Sequence, residues 1–168
     1  MKKFFKVTLI PLALFMTACQ PSAPKEGITK ITYEIVDYMG GRTRTFVLDF
    51  VHNEYQKRDF LPGDETSNRL LFVVKTFTEE EEKTFINGIA NCGLLSIKSE
   101  YKRTDVLDGG GWSFLVEYKD GKTFSSKGEN NGPYKVFDKC STYYYDLCGE
   151  QVMGMLPSGY GSSNNANQ

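Results

Sequence analysis

Histidine is nearly absent from this chain, and His52 is the only one. Imidazole-based nucleophilic catalysis or metal ligation would have to pass through that residue, which stands beside Asn53 and reads as a solvated turn histidine. Cysteine is also scarce: there are four, and no pair has zinc-finger spacing. Neither sign of charge is in clear excess, with 20 Lys and Arg against 21 Asp and Glu and a formal net charge of -1. No basic footprint therefore argues for a nucleic-acid partner. Long apolar runs are missing as well. The stretch from Val7 to Ala18 has 12 residues, short of the roughly 20 that a spanning helix needs. Solenoid-type internal repeats are absent.

What is present begins at the N-terminus. Lys2, Lys3 and Lys6 precede the apolar stretch, and Cys19 follows it. A basic start, a short apolar region and small residues before a cleavage point have the layout of an export signal. The run Met16-Thr17-Ala18-Cys19 resembles the lipobox of bacterial lipoproteins, with Met16 where such families usually carry Leu. The resemblance implies cleavage after Ala18 and lipid attachment at the Cys19 thiol. Thiolate is a strong nucleophile, and the thioether it forms is not reducible as a disulfide is. Two or three palmitate-class acyl chains, at about 0.8 kcal/mol per buried methylene, would hold the chain on a membrane surface. Gln20 stands where Asp would be the familiar inner-membrane retention signal, so a Gram-negative host implies outer-membrane sorting. Loss of residues 1–18 with their three lysines moves the formal charge from -1 to -4, and no polybasic run follows to reinforce membrane contact.

The expected organisation is a cleaved signal over 1–18, a lipidated cysteine and tether over 19–27, one α+β domain over 28–154 and a disordered tail over 155–168. Pro21, Ser22, Pro24 and Gly27 give the tether its composition. The end of the chain is small and polar and lacks apolar surface to bury.

Periodicity predicts an antiparallel sheet of about five strands with two helices, in the order strands, helix, hairpin, helix. Ile31, Tyr33 and Ile35 alternate with polar residues, as do Phe46, Leu48 and Phe50, across the turn signal Met39-Gly40-Gly41-Arg42. Tyr55 to Phe60 reads as a short edge strand, and the apolar run Leu70 to Val74 as a central one. Thr78 and Glu81 have capping-box spacing, with four glutamates at the positive end of the helix dipole. Phe85, Ile86, Ile89 and Ala90 form the helix stripe, closed by Gly93.

Further on, Trp112, Phe114, Val116 and Tyr118 alternate with Ser113, Leu115, Glu117 and Lys119 before Asp120-Gly121. A two-residue loop would put Phe124 on the polar face. A three-residue loop with Gly121 left-handed pairs Val116 with Phe124 and gathers the aromatics. Pro133 presets a second helix, with Phe137, Cys140, Tyr144, Leu147 and Cys148 on its buried stripe and Gly149 at its end. Trp112, Tyr118, Asp120, Gly121, Gly128, Asn130 and Pro133 resemble a pattern in small uncharacterised exported bacterial proteins. That pattern spans about a quarter of the chain and implies a hairpin-helix unit without an activity.

Cys92, Cys140 and Cys148 allow at most one internal disulfide. Cys140 and Cys148 lie roughly 12 Å apart along one helix, whereas a bridge needs Cα atoms within about 7 Å. A bridge must use Cys92, and three reduced, packed thiols are the equal alternative. Asp108-Gly109-Gly110-Gly111 leads into a strand, not into the helix that a phosphate cradle requires. Asp105 and Asp108 lack calcium-loop spacing. Tyr143 and Tyr145 flank the buried stripe and read as half-buried, with surface contact as their functional alternative.

No catalytic, cofactor-binding or metal-ligating residue emerges. Cys19 is the one assigned site residue, as the lipid attachment point. The expected function is a noncatalytic binding or structural lipoprotein of the bacterial envelope, contacting the membrane through Cys19 and engaging an envelope protein. The alternative is a small envelope hydrolase with paired carboxylates.

Overall fold

The computed structural model describes residues 25–157, apart from 39, 64–69 and 104–108. Among the described residues seven strands build one sheet: β1 (Ile28–Asp37), β2 (Thr43–Asp49), β3 (Glu54–Phe60), β4 (Phe72–Thr76), β5 (Glu100–Lys102), β6 (Gly110–Tyr118) and β7 (Thr123–Glu129). Two helices, α1 (Glu79–Asn91) and α2 (Tyr134–Cys148), complete the α+β fold. Their spatial order is β4-β3-β2-β1-β6-β7-β5. All neighbours are antiparallel except β5 and β7, which run parallel.

This corrects the expected five-stranded antiparallel sheet in three ways. The three-residue β5, Glu-Tyr-Lys, is too short for an alternation to register in the sequence. From β5 the chain passes through β6 before it reaches β7, a connection long enough to let β5 and β7 pair parallel. Tyr55 to Phe60 belongs to β3, which lies inside the sheet between β2 and β4. The Leu70 to Val74 run, expected at the centre, instead contributes to β4 at the sheet's outer limit. A continuous apolar run indicates a strand buried on both faces only when layers cover both, and here they do not.

The first hairpin has the expected register, with Ile31 opposite Leu48 and Tyr33 opposite Phe46. In the second, Val116 pairs with Phe124 and Gly121 has φ 79°. A three-residue turn preserves the facing of the aromatics, and the Phe114 and Phe124 rings meet at 6.3 Å. The inward residues of β1, β2 and β6 pack against Phe85 and Ile89 of α1 and Phe137, Tyr144 and Leu147 of α2.

Helix α1 starts at a complete capping box. Thr78 Oγ1 accepts from the Glu81 amide at 3.2 Å, and the Thr78 amide donates to Glu81 Oε2 at 2.7 Å. Pro133 occupies the N-cap of α2, and Gly149 closes it with φ 77°. The helices approach closely at Gly88, where an added Cβ would lie 2.3 Å from Tyr143 Cδ1. Near this crossing a disulfide joins Cys92 to Cys140 with Cα atoms 5.5 Å apart. Cys148 stays free and buried, and burial pushes its thiol pKa up.

At the other end of α2, Trp112 donates from Nε1 to the Asn131 carbonyl at 2.8 Å. Gly128 leaves room for the indole, since a Cβ there would lie 2.1 Å from that nitrogen. Gly128 and Asn130 thus have packing roles: Asn130 takes φ 54° and accepts from the Gly110 amide at 3.0 Å.

Candidate interaction surface

His52 lies in the turn between β2 and β3 with its side chain 67% exposed. Its Nδ1 is 3.0 Å from Asp49 Oδ2, while Asp49 Oδ1 accepts the amides of Val51 and His52. The hydrogen bond to Asp49 raises the His52 pKa. For Asp49, partial burial pushes upward, but hydrogen bonds from the His52 side chain and from the His52 and Val51 amides outweigh it and lower the pKa. Asn53, at φ 56°, completes the turn. The only histidine is consumed by local structure.

Cys19 and its flanking residues, together with Asp105, Asp108 and the chain from 158 onward, lie outside the described residues. The acidic run Glu79 to Glu82 forms the first turn of α1. Tyr143 and Tyr145 are both half-buried beside buried Tyr144, and Tyr143 is the side chain that meets Gly88.

Three of the clefts among the described residues bear on ligand binding. One, about 240 Å³, lies between the start of α1 and the end of α2 and includes Glu80, Glu81, Phe85, Tyr143 and Asp146. It falls short of the roughly 300–1,000 Å³ typical of small-molecule sites. Glu81 is committed to the capping box, and its hydrogen bond from the Thr78 amide leads the effects that lower its pKa. A carboxyl acting as general acid near neutral pH needs the opposite shift. Glu82, raised by burial and then by Glu79, faces a different cleft of about 270 Å³ with Lys25, Glu26 and Lys83. The third, about 310 Å³, lies on the other face of the sheet and carries both signs of charge through Glu34, Glu100, Lys127 and Glu129. Among the described residues no group of three or more His, Cys, Asp or Glu is placed to hold a metal ion.

The two edges of the sheet differ sharply in chemistry. At the β5 edge the strand is short and charged: Lys102 pairs with Glu129 at 3.3 Å and Glu100 with Lys127 at 3.8 Å. Charges and brevity are the usual protection of an edge. At the β4 edge Phe72, Val73 and Val74 are 39, 50 and 41% exposed, and Leu70 and Leu71 before them 75 and 44%. Phe72 is opposite Lys57 and Val73 opposite Gln56, so apolar groups project on both faces.

The platform beneath this edge is held firmly. Glu150 receives Lys57 at 2.8 Å and the Tyr55 hydroxyl at 3.0 Å, tying β3 to the segment after α2. Lys75, the one charged residue of β4, donates to the Leu147 carbonyl at 2.9 Å and to Glu81 at 3.3 Å. Its charge is thereby drawn toward the helices and away from the outer edge.

The chain matches no protein-family model and no curated protein.

The β4 edge therefore has to be read from its own chemistry. Among the described residues no further strand pairs beyond β4, and Phe72 to Val74 along that edge are uncharged, the combination used when an extended segment adds to a sheet. The apolar run Leu70 to Val74 predicts a central strand and not this edge. No periodicity in Leu-Leu-Phe-Val-Val marks either the exposure of this strand or the break in its pairing at Val74. No described helix is long and apolar enough to cross a membrane.

Proposed function

We propose that this protein is a lipoprotein of the bacterial cell envelope, anchored through Cys19, whose single α+β domain is a noncatalytic module that binds an envelope protein along β4. The exposed apolar edge of β4 carries the binding part of this reading. Soluble domains seldom leave a long apolar edge bare unless something covers it. The lipobox-like Met16-Thr17-Ala18-Cys19 supports the anchor, and Gln20 favours the outer membrane in a Gram-negative host. The Cys92–Cys140 disulfide agrees with an exported protein, because such bonds persist in oxidising compartments.

The test uses cells grown with a fatty-acid analogue, with a photo-crosslinking residue at Val73 of the full chain. The expected result is label on the wild-type protein, none on a Cys19→Ala variant, and a protein adduct formed from position 73. Persistent label on Cys19→Ala overturns the anchor. Absence of any protein adduct in native membranes overturns the binding role of this edge.

A further inference from the structure

We infer that the occupant of the β4 edge is a second copy of this chain, the two β4 strands pairing antiparallel about a two-fold axis near Val73. This rests on the proposed binding role of that edge and specifies its partner.

Antiparallel self-pairing brings the same surface to itself, so it succeeds only where that surface carries no charge that would meet its own image. Leu70 to Val74 contains none. With Val73 on the axis, Phe72 faces Val74 of the second copy, and Lys75 faces Leu71 of the second copy, not the other Lys75. The Lys75 ammonium is in addition already held by Glu81 and the Leu147 carbonyl. A charged strand from another protein would bring its ions against Phe72 and Val73, where the outer edge has no counter-charge to offer. A second copy brings an uncharged strand at equal concentration.

The opposite edge determines why association stops at two. Pairing β4 of one copy with β5 of the next would extend an open sheet, but β5 presents Glu100 and Lys102 with their ion pairs. Only the β4 edge is chemically matched to β4, so the assembly closes as a dimer.

The association is weak by its size. Leu70 to Val74 make an apolar patch on the order of 400 Å² per copy, so a dimer covering all of it would bury less than the roughly 1,000 Å² of specific interfaces. The break in register at Val74 limits the regular edge further. Such a pair forms where copies are concentrated, as on a membrane.

Full-length Val73→Cys protein in native membranes provides the test, under mild oxidation and non-reducing electrophoresis. Cross-axis Cα atoms in an antiparallel pair, about 4.5–5.5 Å apart, fall within disulfide range. Among the described cysteines Cys148 is buried and the other two are bridged, so the introduced thiol is the reactive one. The expected result is a covalent dimer from Val73→Cys and monomer from Lys102→Cys on the opposite edge. Detergent-solubilised full chain should show a mass that doubles with concentration, a behaviour lost in Val73→Lys while the Cys92–Cys140 bond persists. Equal dimer from Lys102→Cys would overturn the register. A photo-adduct at position 73 to a different protein, without homodimer, overturns the second copy and leaves the binding role standing. No adduct of either kind overturns both.

Discussion

His52 shows how a residue that invites a functional reading is accounted for by its nearest neighbours. Its imidazole caps a turn already organised by Asp49, which accepts two backbone amides and contacts Nδ1 at 3.0 Å. The His52 pKa is raised by that hydrogen bond, so the protonated form is favoured in the folded state. Its stabilising contribution is complete below the unfolded value of about 6.5 and disappears as pH rises through the raised folded value. Asp49 has the opposite sense: its lowered pKa gives stability present above the unfolded carboxylate value and lost as pH falls through the folded one. Proton NMR titration of the lone imidazole should give a midpoint above the ordinary histidine value, returning toward it in Asp49→Asn. Thermal melting should decline slightly from pH about 6 to about 8 in the wild type, and this decline should vanish in His52→Gln. An unshifted midpoint would remove Asp49 as the cause. The lone histidine is readable as a turn residue because strand-end position and Asn53 both point there; its Asp49 partner is not, because nothing in the sequence sets this carboxylate apart before the turn is formed.

At the scale of elements, the disulfide joins the end of α1 to the middle of α2 across 48 residues of chain. In the chain-entropy account, closing a loop of that length restricts the unfolded ensemble by about 4 kcal/mol. The double variant Cys92→Ala, Cys140→Ala should lose about 2–4 kcal/mol in guanidinium unfolding, and a reductant should reproduce that loss in the wild type. Cys148→Ser should leave the bridge intact. Retention of full stability after reduction would show that helix packing alone holds this crossing. Elimination along the sequence established that a bridge must include Cys92, but the choice of Cys140 needs the helices in contact. That contact depends on Gly88 admitting Tyr143, a relation between residues far apart in sequence. Local devices were legible: the Thr78 and Glu81 capping box, left-handed Gly93, Gly121 and Gly149, and the Val116 to Phe124 register each depend on a few adjacent residues. The place of β4 was not, because Leu70 to Val74 has the same composition at a sheet's centre as at its edge. Neighbouring strands and covering helices decide exposure, and neither is encoded within the run itself.

For the whole molecule, the proposed anchor and the proposed strand pairing are energetically linked. A pair burying so little surface is poorly populated when copies diffuse in three dimensions. Confining them to a membrane plane raises their effective concentration without adding a contact. Consequently Cys19→Ala placed in the Val73→Cys background should do two things together: move the protein from the membrane to the soluble fraction, and sharply reduce the covalent dimer at equal total protein. The Cys92–Cys140 bond, which depends only on the domain, should be unaffected and serves as the check on folding. Dimer yield that persists after release would mean that the edge binds its copy strongly enough without the membrane. In that event the patch must be extended by surface beyond Leu70 to Val74, and sedimentation of the released protein would show a dimer that survives dilution.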